Sequence, residues 1–293
     1  MNAKKIFVSG VTGFQGAAIA RLLLERGFNV SSLVRNLKSD TIDSRVEAIP
    51  GEFENVNEVS SALRNVNGAV FTLPLIFDKD KAISITKNFI EAAKKENVPL
   101  VVFNSGFDLP KEKANLLGVD IKVILKKEFD ESGLNVITIS PDIYLDNLTA
   151  PWSIPLIIEK GILPYPIKEG QKVPWISHTD LAKYITAAIE KPELAGRTLF
   201  VGGNLLAGEQ IAQEISAKIN KPVHFVSLSP DEFEQNLSPS FGAIAAKEIS
   251  NLYRFLDLNI DRILAKDYKA SQEILDVTPQ SLSEWVENIR WNY

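Results

Sequence analysis

Apolar residues recur along this chain in two rhythms. Short runs at Lys5–Ser9, Asn29–Val34, Val46–Ile49, Ala69–Leu73, Leu100–Asn104 and Val136–Ser140 carry β-branched or aromatic side chains and read as buried strands. Between most of them the apolar positions fall three and four apart. That spacing predicts helices over Phe14–Arg26, Val56–Arg64, Lys79–Asn97 and Ala114–Ser132. Gly27 and Gly133 follow the first and last of these, where a left-handed residue closes a helix at little cost. The alternation predicts an α/β fold, a doubly wound parallel sheet with helices on both faces. Ligands of such sheets bind beyond the carboxyl ends of the strands, where the strand order reverses.

The first strand runs directly into Gly10-Val11-Thr12-Gly13-Phe14-Gln15-Gly16 and then a helix. Three glycines spaced three apart at this junction suit a nucleotide pyrophosphate. Its charge rests on the free N–H groups and positive end of the helix, and glycine lets the main chain come close. Gly10, Thr12, Gly13, Phe14, Gln15 and Gly16 are therefore candidate cofactor-binding residues. The second strand ends Ser32-Leu33-Val34-Arg35-Asn36, without the Asp or Glu that accepts from a ribose 2′-hydroxyl. Arg35 in that place suits a 2′-phosphate and predicts NADP(H), with NAD less favoured. Its other reading is a solvated loop arginine. Leu73-Pro74 and Asn104-Ser105, at later strand ends, should line the same crevice. Ser105 either meets a substrate oxygen or the nicotinamide ribose, or caps a turn.

After Pro141 the rhythm breaks. Pro151, Trp152, Pro155, Pro164, Pro166 and Pro174 crowd a stretch read as neither regular strand nor long helix. A helix is expected to open at Thr179 or Asp180, either of which suits an N-cap, and to reach about Glu190. Thr198–Val201 reads as a strand returning to the sheet. Helices at Ala207–Ile219, Ala243–Leu256 and Leu282–Arg290 and a strand at Val223–Val226 complete the chain. The expected division is a dinucleotide-binding domain over 1–150 with about 177–203, and a smaller, discontinuous C-terminal α+β lobe over 151–176 and 204–293. The Pro- and Trp-bearing stretch Pro151–Pro166 suggests a flat or aromatic small-molecule acceptor, or simply the packing of a lobe.

Composition narrows the chemistry. The 293 residues, 45% apolar and 24% charged, suffice for a sizeable core in a globular protein. A net charge of −5 without a dense basic run argues against direct nucleic-acid binding. Cysteine is absent, which removes disulfides and thiolate chemistry, and His178 and His224 lack ligand spacing, so no metal is expected. His178, beside a helix start, reads as structural. No apolar run reaches the roughly eighteen residues a membrane span needs, and the first strand follows Met1 too closely for a signal peptide, so a cytoplasmic address is expected. No serine-hydrolase elbow occurs. Lys122, with Lys126 and Lys127 downstream, reads from the sequence as a wet helix face or as a functional lysine.

The glycine loop, Arg35 and Pro174-Trp175-Ile176-Ser177-His178-Thr179-Asp180-Leu181-Ala182 together resemble the atypical short-chain dehydrogenases, and within them the NmrA-like group. The resemblance is strongest over residues 5–35 and 133–190. It implies a Rossmann fold, NADP(H) in the glycine crevice, and a substrate cleft under the small lobe. Ser140-Pro141-Asp142-Ile143-Tyr144-Leu145-Asp146-Asn147 matches a family stretch near the nicotinamide, which adds Pro141 and Ile143 to the cofactor set; Ser140 replaces a common arginine. Counting back from Gly133, Lys122 falls where isoflavone-type reductases keep a functional lysine, and it is the candidate catalytic residue. The Tyr-x-x-x-Lys pair of ordinary members, in which the lysine tunes a proton-donating tyrosine, is missing. None of the six tyrosines has a lysine four residues on, and Gly118 stands four before Lys122. Three readings follow: an NADP(H)-dependent oxidoreductase of quinone-like or other activated acceptors, a non-catalytic NADP(H)-binding sensor with a protein partner, or a sugar-nucleotide epimerase-like enzyme.

Overall fold

Along β1 (Lys5–Val8), Ile6 and Val8 face one side and Phe7 the other, and all three are buried. A strand covered on both faces needs helices on both faces, and the chain supplies them. The computed structural model describes residues 3–150 and 153–291. After β1 come α1 (Phe14–Glu25), β2 (Asn29–Val34), β3 (Glu47–Pro50), α2 (Val56–Leu63), β4 (Gly68–Thr72), α3 (Lys79–Lys95), β5 (Val101–Asn104), α4 (Leu117–Asp130) and β6 (Val136–Pro141). The remainder holds β7 (Ile143–Tyr144), α5 (Ile154–Lys160), β8 (Ile162–Tyr165), β9 (Val173–Ile176), α6 (His178–Glu190), β10 (Thr198–Val201), β11 (Leu205–Leu206), α7 (Gly208–Ile219), β12 (His224–Ser227), α8 (Pro230–Phe241), α9 (Ala243–Leu258), α10 (Ile260–Leu264), α11 (Tyr268–Leu275) and α12 (Leu282–Asn288).

Seven parallel strands form the central sheet in the order β10-β6-β5-β4-β1-β2-β3, a Rossmann-type doubly wound α/β fold as expected. The order reverses between β1 and β4. On one face α1 and α6 cover Ile6, Val8, Val70, Val102 and Ile139 with Ile19, Leu23, Leu181 and Ile185. On the other, α2, α3 and α4 cover Phe7, Phe71 and Phe103 with Leu63, Phe89 and Phe129. The rings of Phe71 and Phe89 approach to 4.5 Å, and those of Phe103 and Phe129 to 4.6 Å.

A third core, around Trp175, Trp285, Leu163, Ile211 and Ile215, also takes in Ile143, Leu145 and Leu148, and the elements packed around it make up a small lobe. Its β-structure is two ribbons, β11-β9-β7 and β12-β8. The proline-rich stretch is more regular than its composition suggested. Pro155 sits in the first turn of α5, where a missing N–H costs nothing, and Pro164 lies in β8, an edge strand of a two-stranded ribbon. Pro151 and Trp152 lie outside the described residues. Helices α8, α10 and α11 and strands β7 and β11 were not legible, being short or, in α8, carrying Pro230 and Pro239. Pro230 occupies the first turn, behind a capping box of Ser229 and Glu232. The α6 helix opens at His178 with Ser177 as N-cap, not Thr179 or Asp180, because the Ser177 hydroxyl accepts from the Asp180 N–H.

Candidate functional site

At the switch point the ends of β1 and β4 are stitched together. The Ser9 hydroxyl donates to the Thr72 oxygen at 3.0 Å and accepts from the Thr72 N–H at 2.7 Å. The chain then turns through Gly10, whose φ of +70° is left-handed, into α1. A Cβ on Gly16 would overlap the Gly10 oxygen and stand 2.9 Å from that of Ser9, so the turn itself demands glycine. Gly13 is different. Its φ is −101°, and a Cβ there would meet only the Gly10 oxygen, at an ordinary 3.5 Å. Packing does not require this glycine. What its missing side chain keeps clear is the approach to the first turn of α1.

That first turn has no side-chain cap and no acidic residue. Its N–H groups and positive end could hold an anion such as a dinucleotide pyrophosphate. Thr12 and Phe14 are exposed at its rim, and Phe14 stacks on the His178 ring at 6.3 Å with 13° between planes. Gln15 is tied inward: the Asn104 amide donates to Gln15 Oε1 at 2.9 Å and to Thr72 Oγ1 at 3.2 Å. Asn104 Oδ1 also accepts from the Gly106 N–H, so one buried side chain joins α1, β4 and the turn after β5. Arg35, one residue past β2, is exposed and makes no hydrogen bond or ion pair with the described residues. Its loop leans on the glycine turn through Thr41, whose hydroxyl donates to the Thr12 oxygen at 3.3 Å. Leu73 is half-buried and Pro74 exposed beyond β4.

Three of the candidate side chains lie inward here. Ser105 is buried and its hydroxyl donates to the oxygens of Phe107 (2.7 Å) and Ile139 (3.2 Å), the turn-capping one of its two expected roles. Lys122 is no wet helix face. It is half-buried, its ammonium donates to the Ser105 oxygen at 2.6 Å, and burial pulls it down to about 8. No carboxylate among the described residues pairs with it. Ile143 points into the lobe core with Leu163 and Trp175, leaving only its main chain for the crevice. Pro141, buried at the end of β6, pairs with Val201 of β10.

The structure gathers further groups at this rim. His178 donates its main-chain N–H to Asp146 Oδ2 at 2.8 Å, and its Nδ1 lies 3.6 Å from Asp146 Oδ1. Burial holds the imidazole below its ordinary value, with Asp146 opposing. The Tyr144 ring packs 5.0 Å from it, and burial raises the Tyr144 phenol far out of the working range. Asp142 turns away from the crevice toward the lobe. It accepts from Tyr268 and lies 3.3 Å from Lys266 Nζ, which is also 2.6 Å from Asp108 Oδ1. Arg262 closes this buried cluster on Asp108. These partners lie more than a hundred residues apart, and no local sequence signal announces them. Among the described residues, no helix is long and apolar enough to cross a membrane.

Residues 2–286 match the model of the NmrA-like family. An NAD(P)H azoreductase from Xenophilus azovorans is 28% identical over 240 residues, spanning 80% of each chain. The NADPH-dependent quinone oxidoreductase of Escherichia coli, solved with NADPH, superposes with a TM-score of 0.77 at 19% identity, covering 96% of this chain and 98% of that one. NmrA, a negative transcriptional regulator solved with NAD, gives 0.75 at 17% identity over 99% and 96%.

Proposed function

We propose that this chain, which belongs to the NmrA-like family, is an NAD(P)H-dependent reductase of small activated acceptors, quinone- or azo-like in chemistry. The observation that carries the reading is Gly13, a glycine the fold does not need, standing over an uncapped helix N-terminus. In this reading the first turn of α1 binds the pyrophosphate, with Thr12, Phe14 and Gln15 around it. Arg35, without a hydrogen bond or ion pair among the described residues, holds the 2′-phosphate and makes NADPH the preferred form. Leu73, Pro74, Asn104 and the main chain at Pro141 and Ile143 line the way to the nicotinamide.

When bound, the dinucleotide would supply a hydride for the acceptor. Lys122 does the rest. One of its three hydrogens is taken by the Ser105 oxygen, and two remain for a ribose hydroxyl or an acceptor oxygen gaining charge. An ammonium near 8 also releases a proton readily at neutral pH. Activated acceptors need little acid assistance, which suits a site with Gly118 in place of the tyrosine.

That same glycine favours a second reading, a sensor that binds NADP(H) without turning it over and reports to a protein partner. Calorimetric titration with NADPH and NADH, followed by NADPH oxidation with quinone and azo acceptors, tests both. Turnover supports the reductase. Tight binding with no turnover across the panel supports the sensor, and no binding of either cofactor overturns both.

A further inference from the structure

The first turn of α4 lacks a cap of its own. Its N-cap position is Leu116, which makes no side-chain hydrogen bond to the helix. The acceptor comes instead from the small lobe: the Gly118 N–H donates to Glu248 Oε2 of α9 at 3.0 Å, across 130 residues of sequence. Glu248 is 7% exposed and, among the described residues, has no cationic partner within ion-pair distance. A buried carboxylate without a cation is costly unless something else neutralises it. Here the positive end of α4 does so, shared with Asp120 of the same turn, whose carboxylate accepts from the Ala114 N–H.

Gly118 makes the approach possible. A Cβ there would lie 3.3 Å from Phe77 Cε1, 3.6 Å from the Glu248 oxygen and 3.7 Å from Glu248 Cβ, leaving room for a methyl group at most. The position that holds a tyrosine in ordinary short-chain dehydrogenases is therefore occupied by a helix–helix contact. Phe107 and Phe255 meet edge to face at 5.9 Å in the same junction, around buried Val119. One turn further along α4, on the same face, Lys122 reaches the Ser105 oxygen.

We infer that Glu248 is a positioning residue for Lys122: it fixes the first turn of α4 from the opposite lobe and thereby sets where the ammonium stands in the crevice. The inference rests on the reading of Lys122 as the group that serves the reaction. It gives the small lobe a role beyond covering the cleft, because docking α9 completes the helix that carries the lysine. Loosening that turn admits water to a half-buried ammonium, so a displaced Lys122 recovers the basicity of a hydrated lysine.

The test is made on the full chain with Glu248→Ala, Glu248→Gln, Glu248→Asp and Lys122→Ala. The ionisation of Lys122 is followed by its pH-dependent acetylation and peptide mass spectrometry, alongside turnover of NADPH with a naphthoquinone. In Glu248→Ala the lysine should move up from about 8 toward the ordinary value of about 10.4, with kcat falling ~10-fold or more and the KM for NADPH little changed. Glu248→Gln keeps the acceptor oxygen and should restore both; Glu248→Asp, one methylene short, should fall between. If Glu248→Ala does not fold, the ordering of Gln and Asp decides the question in its place. Unchanged acetylation in the Ala and Asp variants, with only a lower Tm, overturns the inference, since a merely structural contact would give that. An unchanged kcat in Lys122→Ala overturns the catalytic reading of the lysine, and acetylation alone then decides whether Glu248 positions it.

Discussion

The ammonium of Lys122 lies 2.6 Å from the main-chain oxygen of Ser105, half-buried and with no carboxylate beside it among the described residues. Burial without an opposing charge disfavours the ammonium and brings it down to about 8. If the protonated form is the active one, kcat/KM should fall on the alkaline side from about pH 8, tenfold per unit. Lys122→Met should lose that limb and most of the rate. An alkaline limb that survives unchanged in Lys122→Met assigns the titration to another group.

Arg35 stands one residue beyond β2 with no hydrogen bond or ion pair among the described residues, while its loop rests on Thr12. Charge-assisted bonds to a phosphate are worth roughly 1.5–3 kcal/mol, so Arg35→Ala should weaken NADPH about 10- to 150-fold. NADH, with no phosphate there, should bind almost as before. Calorimetry with both cofactors checks this, and equal losses would return Arg35 to a solvated loop.

Gly13 and Gly16 separate ligand from fold. A Cβ on Gly16 overlaps the main chain of Gly10, so Gly16→Ala should lower Tm sharply, whereas Gly13→Ala meets only an ordinary 3.5 Å contact. The latter should cost no more than about 1 kcal/mol of stability, the scale of an N-cap change, and still abolish dinucleotide binding. Thermal melts paired with cofactor titration read the two effects apart. Normal NADPH binding by Gly13→Ala protein would mean that the open cradle is not where the pyrophosphate sits.

Asp142 links the end of β6 to the small lobe through Tyr268 and Lys266. Burial outweighs Lys266 and raises its carboxyl from 3.8 to about 6. Between those values the folded protein holds a proton the unfolded chain has released. The stability it contributes is complete below about pH 4 and is lost as pH rises through about 6, on the order of 3 kcal/mol. Asp142→Asn cannot titrate, so wild-type unfolding free energy should decline relative to the variant across that interval. Urea unfolding at several pH values measures the difference, and a flat difference would sink the assignment.

Much of the architecture was legible because its causes are local. The middles of the runs around Phe7, Phe71 and Phe103 hold at least three consecutive apolar residues, which marks strands buried on both faces. Gly27 and Gly133 take positive φ beyond the ends of α1 and α4. The glycine loop was legible for the same reason: Gly10 and Gly16 answer to a turn made by residues next to them. The small lobe was less so. Its strands are two to four residues long, and α5 and α8 carry prolines in their first turns, so composition there mimics a loop.

The sequence alone determined the alternation of strands and helices and the glycine turn that opens α1, since strand periodicity, glycine geometry and helix polarity act over a few residues. Only the tertiary structure decided what the polar side chains do. It turned the Ser105 hydroxyl into the turn, drew Lys122 out of water, and brought Asp146 to His178, Lys266 to Asp142 and Glu248 to Gly118. Burial and pairing are properties of neighbours in space. A charged residue reads the same in a sequence whether water surrounds it or an opposite lobe closes over it.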